Sequence, residues 1–264
     1  MVIVIKDSYA ELSRSAAHII AHAIEKNPRL TLGLATGKTP MGLYQELIRL
    51  HREEGLNFSD VVTFNLDEYL GLSPDHPQSY HAFMHRHFFD HVNIEADHIH
   101  IPRGSITTDY GAYCASYEER IRRAGGIDLQ ILGIGINGHI GFNEATSSLS
   151  SRTRLVALTS QTIEENRRFF PADEDMPSCA ITMGLGTILE ARRIVLLASG
   201  RKKANAVAQA IEGPVTASIT ASVLQLHADV IVIIDRDAAE ELTRTEYYDR
   251  VVKMTARYMP ERLW

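Results

Sequence analysis

Short, uniformly apolar runs alternate along the chain with segments whose apolar residues recur every three or four positions. The runs VIVI (2–5), LTLGLA (30–35), VVTFN (61–65), DLQILGI (128–134), RIVLLA (193–198) and DVIVII (229–234) read as strands. Ser8 and Glu11 form an S-x-x-E box that opens a helix running to about Lys26. Leu43, Leu47 and Leu50 make one stripe of a second helix. Thr39 is its expected cap, with Pro40 at the first position, where a missing N–H costs nothing. Further helices are expected around 79–89, 108–124 and 201–211. Strands apolar on both faces and separated by helices predict a mostly parallel sheet covered on both sides. No Gly/Ser/Pro-rich linker cuts the chain, so a single doubly wound α/β domain over 1–264 is expected. The polar stretch 136–160 follows neither period and reads as an insertion or a site.

Composition narrows the partners. The chain has 264 residues, 45% hydrophobic and 23% charged, as in ordinary globular proteins. A net charge of -6 without a Lys/Arg-dense stripe argues against nucleic-acid binding. Cys114 and Cys179 are the only cysteines, which excludes a disulfide framework and fits a reducing, cytoplasmic compartment. No apolar run approaches the roughly 18 residues of a membrane span.

Two glycine-rich stretches fall short of familiar nucleotide motifs. In 33-GLATGKTP-40 the Gly-Lys-Thr lies one residue too close to Gly33 for a P-loop, and a ring of amides around a triphosphate depends on loop length. A strand, a glycine turn with threonine hydroxyls and a helix N-terminus still make an anion site. The run 133-GIGING-138 follows a strand but opens no apolar helix and has no acid near Val156–Leu158, so it does not read as a dinucleotide fingerprint.

Candidate chemistry gathers instead at strand ends. Asn137, His139, Asn143 and Glu144 fall within one loop after a strand, and a histidine beside a carboxylate is a natural proton-transfer pair. Asp67 and Glu68 follow the strand VVTFN. Basic residues follow both regions: Arg152, Arg154, Arg167 and Arg168 after the loop, and Arg201, Lys202 and Lys203 at a helix start, where a bound anion would explain them. His81 and His85, or His87 and His91, have helical i, i+4 spacing, but interleaved Phe83, Phe88 and Phe89 favour an aromatic-packed helix over a metal site.

Taken together, GLATGKTP (33–40), VVTFNLDEYLGL (61–72), PQSYHAFMHRHFFDHV (77–92), GINGHIGFNEA (135–145), SSLSSRTR (147–154), AITMGLGTIL (180–189) and SVLQLH (222–227) resemble the glucosamine-6-phosphate deaminase family. The resemblance implies a Rossmann-like fold and cofactor-free conversion of glucosamine 6-phosphate and water to fructose 6-phosphate and ammonia. It implies that Asp67 moves a proton between sugar carbons 2 and 1. By the same resemblance His139 matches the group that opens the pyranose ring, with Glu144 and Asn137 matching the residues that support it. The resemblance also implies that Thr36, Gly37, Lys38 and Thr39 cradle the phosphate, with Arg168 and Lys203 matching its cationic clamps. No metal is implied. The alternative readings of this chain are a galactosamine-6-phosphate deaminase, a 6-phosphogluconolactonase and, from another class, a sugar-phosphate-sensing regulatory domain.

Three positions set this chain apart. Asn137 is an amide where some members have Asp, which leaves Glu144 as the negative partner of His139. Lys38 stands where the family usually has a small residue. Val156 replaces a lysine of allosteric members, and the C-terminal segment matches poorly, so assembly contacts stay open. Activation by N-acetylglucosamine 6-phosphate is therefore expected to be weak; sigmoidal kinetics relieved by that sugar would contradict this.

Overall fold

The computed structural model describes residues 1–263; Trp264, the last residue of the domain expected over 1–264, lies outside them. Seven strands form one sheet: β1 (Val2–Lys6), β10 (Val230–Asp235), β9 (Arg193–Ala198), β6 (Leu129–Gly133), β2 (Thr31–Leu34), β3 (Val62–Asn65) and β5 (Ile99–His100), in that spatial order. Every neighbouring pair is parallel. From β2 the chain builds outward through β3 to β5; it then returns to β6 and builds the other way. The strand order therefore reverses between β2 and β6.

Alternation of side chains explains why the strands read as unbroken apolar runs. On β9, Ile194 and Leu196 face one core, with α4 (Tyr110–Arg123), α6 (Leu185–Leu189) and α7 (Ala204–Glu212). Val195 and Leu197 face the other, with α1 (Tyr9–Lys26), α2 (Met41–Glu54) and α3 (Tyr80–His87). Each such fully buried aliphatic side chain contributes about 1.5–3 kcal/mol relative to exposure. Among the described residues no helix is long and apolar enough to cross a membrane.

The helix starts follow the sequence with one correction. Ser8 caps α1, accepting the Glu11 N–H at 3.3 Å, while the Glu11 carboxylate accepts the Asp7 N–H at 3.2 Å. Thr39 does not cap α2. The helix begins at Met41 with Pro40 in the cap position and no side-chain cap of its own. The expected helix over 201–211 begins as a 3-10 turn, Arg201–Lys203, before α7.

A second sheet goes beyond the sequence reading. The strands β4 (Asp67–Tyr69), β8 (Cys179–Thr182) and β7 (Arg154–Ala157) pair antiparallel beside the carboxyl ends of the main sheet. It covers a small core of Tyr69, Leu72, Phe142, Leu158, Phe170 and Ala180. The stretch 136–160 is thus partly this sheet and partly the loop that it supports. Three- and four-residue strands are too short for a period to show, and β4 carries two acids.

Tyr117 on α4 ties the site end of the main sheet to its helix. Its buried hydroxyl lies 2.7 Å from the Asn65 carbonyl and 3.1 Å from that of His100. Tyr117→Phe would leave these acceptors facing a ring edge. We expect it to lower the unfolding free energy by about 1–3 kcal/mol in a urea titration, with the denaturant slope unchanged.

Candidate active site

In open α/β sheets a crevice forms outside the carboxyl ends of the strands where the strand order reverses. Here the loop after β2 (35–40) and the loop after β6 (134–153) leave from either side of that reversal. All the candidate residues read from the sequence lie on segments leaving this edge or packed against it.

The loop after β6 holds Asn137, His139 and Glu144 together. Glu144 is 6% exposed. Its Oε2 accepts from Asn137 Nδ2 at 2.9 Å and lies 3.2 Å from His139 Nδ1. The ring nitrogen is buried and meets the carboxylate as a close contact short of an aligned hydrogen bond. Glu144 Oε1 accepts from Thr159 Oγ1 at 3.2 Å and from Thr162 Oγ1. These threonines sit at the start of α5 (Ser160–Arg167), where the helix dipole also favours a negative charge. Burial opposes the charge on Glu144, but His139, Thr162 and Asn137 outweigh it and hold the carboxyl at about 2. Asn137 thus supports the carboxylate as a donor, the part that an amide can play. Gly135 explains the glycine-rich stretch: a Cβ there would lie 2.5 Å from the His139 ring, so the glycine makes room for an imidazole.

Asp67 lies in the second sheet, 6% exposed. Its register partner on β8 is Thr182, whose other neighbour in the row is Arg154 on β7. Thr182 Oγ1 hydrogen-bonds Asp67 and accepts the Phe142 N–H at 3.0 Å, which links the carboxylate to the His139 loop. Arg154 braces the same loop, donating to Asn143 Oδ1 at 2.8 Å and Ser147 Oγ at 3.0 Å. Burial, then the neighbouring Glu68 charge, push the Asp67 carboxyl up to about 8. Glu68 faces elsewhere. It accepts the N–H groups of Tyr69, Tyr80 and His81, each at 2.9 Å, and so fastens β4 to the start of α3.

The cationic side of the crevice is more open. Gly37 takes a φ of 100°, which turns the chain between Thr36 and Lys38. The Thr36 hydroxyl is hydrogen-bonded to the Tyr80 phenol. Lys38 Nζ lies 5.4 Å from the centre of the Phe169 ring and Arg168 Cζ 4.9 Å from it, so one exposed aromatic gathers two of the predicted cations. Lys203 is half-buried after β9; burial pushes its ammonium below the ordinary value, with the Glu165 charge opposing. Sequence reasoning missed Thr159, Thr162, Thr182 and Phe169, single common residues with no spacing signal. The histidine-rich segment forms ring contacts, His81 to His85 at 4.5 Å, and a His85–Asp90 pair at 2.8 Å. Among the described residues no group of three or more His, Cys, Asp or Glu could hold a metal ion.

The raised Asp67 value has a sign that stability can test. The folded protein keeps a proton that the unfolded chain releases near pH 4, so stability falls as pH rises from about 4 to about 8. Asp67→Asn removes this cost. In thermal melts its advantage over the native protein should be smallest at pH 4 and grow toward pH 8; a constant gap would contradict a raised Asp67.

Comparison with known proteins shows the family and the fold. Residues 6–232 match the family model of glucosamine-6-phosphate isomerases/6-phosphogluconolactonase. A glucosamine-6-phosphate deaminase of Thermoanaerobacter pseudethanolicus is 54% identical over 239 residues, 90% of this chain and 94% of that protein. The solved structure of a monomeric glucosamine-6-phosphate deaminase superposes with a TM-score of 0.89 at 48% identity, over 91% of this chain and all of that one. A 6-phosphogluconolactonase from Trypanosoma cruzi shares the fold at a TM-score of 0.73 and 23% identity, over 91% of this chain and 96% of its own. This chain belongs to the family of glucosamine-6-phosphate isomerases and 6-phosphogluconolactonases.

Proposed function

We propose that this protein is a glucosamine-6-phosphate deaminase that converts glucosamine 6-phosphate and water to fructose 6-phosphate and ammonia. The observation that carries the reading is the pairing, at one sheet edge, of a buried carboxyl pushed up to about 8 with a His–Glu–Asn constellation. A lactone hydrolysis needs no base that works on carbon; an aldose–ketose isomerisation does.

The roles follow from that chemistry. His139 carries protons between the ring oxygen and the anomeric hydroxyl as the pyranose opens, and the Glu144 charge stabilises the ring while it holds the extra proton. Asp67 takes the proton from carbon 2 and returns it to carbon 1. Burial and the Glu68 charge favour the protonated Asp67, and the substrate's amino group, cationic on carbon 2, favours the carboxylate when it arrives. Water then adds to the carbon 2 iminium, and ammonia leaves. Thr36, Gly37, Lys38 and Thr39 receive the phosphate, with Arg168 and Lys203 beside them, and this remote binding energy keeps the carbon chain in register. The substrate is a small molecule, and the scarcity of cysteine supports a reducing, cytoplasmic setting.

The decisive measurement is ammonia release from glucosamine 6-phosphate, with galactosamine 6-phosphate as the comparison sugar. Asp67→Asn should lower kcat by roughly 10²–10⁴-fold, and Glu144→Gln should impair turnover of the cyclic substrate. Release from neither sugar by the native protein would overturn the reading, and faster release from the galacto epimer would redirect it.

A further inference from the structure

The turn that receives the phosphate has a support from outside its own segment. Tyr9, the first residue of α1, reaches across to it. Its phenol oxygen accepts the Gly42 N–H at 2.7 Å and lies 3.0 Å from both the Lys38 and the Thr39 carbonyl oxygens, to which its single hydroxyl proton can donate. One side chain therefore holds three backbone groups of the strand-to-helix turn. The α2 N-terminus has no cap from its own residues, and Thr39 Oγ1 makes no hydrogen bond among the described residues. Threonine at a helix start ordinarily spends its hydroxyl on a nearby N–H. Here the tyrosine takes up a first-turn N–H, and the threonine hydroxyl stays free. The approach is close: a Cβ at Gly42 would lie 2.4 Å from Ser13 Oγ and 2.9 Å from Tyr9 Oη.

We infer that Tyr9 is a positioning residue for phosphate recognition: it sets the shape of the turn from Thr36 to Thr39 and leaves the Thr39 hydroxyl for the ligand. The inference rests on the proposed reading of that turn as the phosphate cradle. Two carbonyls drawn toward the phenol cannot turn toward an incoming dianion, whose charge they would repel. The amides and hydroxyls are left to face it.

The test compares Tyr9→Phe and Thr39→Ala with the native enzyme, measuring KM and kcat for glucosamine 6-phosphate, competitive inhibition by inorganic phosphate, and thermal melting. Tyr9→Phe should raise KM and the phosphate inhibition constant together, by about three- to tenfold, the effect of losing one or two ordinary hydrogen bonds. Its kcat should stay within about twofold. Gly42→Ala, which crowds the phenol, should give the same signature. If both constants rise in Thr39→Ala and stay at native values in Tyr9→Phe, the Tyr9 inference fails and the cradle stands. If neither variant moves the phosphate constant, the cradle reading fails and takes the inference with it. A fall in kcat and melting temperature at constant KM would make Tyr9 a structural residue only and would equally overturn the inference.

Discussion

The parallel pairing of β2 with β6 at the middle of the seven-stranded sheet is the constraint on which the site depends. Outward building from β2 in one direction and from β6 in the other makes their following loops diverge, and the gap between them is the crevice. The turn from Thr36 to Thr39 leaves from one side of it and the His139 loop from the other. Neither loop is held by its own segment alone. Tyr9 of α1 fastens the first, and Arg154, Thr182 and the start of α5 fasten the second.

Two buried carboxylates at this edge have opposite electrostatic fates, and the difference lies in their partners. Glu144 receives donors on both oxygens and faces the His139 ring, so its charge is favoured despite burial. Asp67 has one threonine hydroxyl and a second acid beside it, so its charge is disfavoured. Environments that push two titratable groups apart are how one site holds a fixed negative charge and a mobile proton at the same pH. Asp67 is accordingly a cost to the fold, held in place by the β4–β8 pairing.

Much of this was legible in the residues. Apolar runs of four to seven residues marked six of the seven strands of the main sheet because both faces of each are buried, whereas the two-residue edge strand β5 left no run. The acids, the histidine and the cations stood out as polar groups at strand ends. The second sheet left no such trace, because Asp67–Tyr69, Arg154–Ala157 and Cys179–Thr182 are too short for alternation to show. Thr39 and Pro40 looked like a helix start with its own cap, and local chemistry alone would have made one. A tyrosine 33 residues before Gly42 took that place instead.

By itself the sequence determined the layered α/β class, the residues able to carry protons and charge, and the family that they resemble. Those follow from local periodicity and residue chemistry, which need no knowledge of what lies across the fold. Only the tertiary structure decided which groups meet: that Glu144 bonds threonines 15 and 18 residues away, that Thr182 links Asp67 to the His139 loop, and that Lys38 shares Phe169 with Arg168. Such pairings depend on how the sheet and its helices close around one another, and hydrogen bonds act over about 3 Å whatever the distance along the chain.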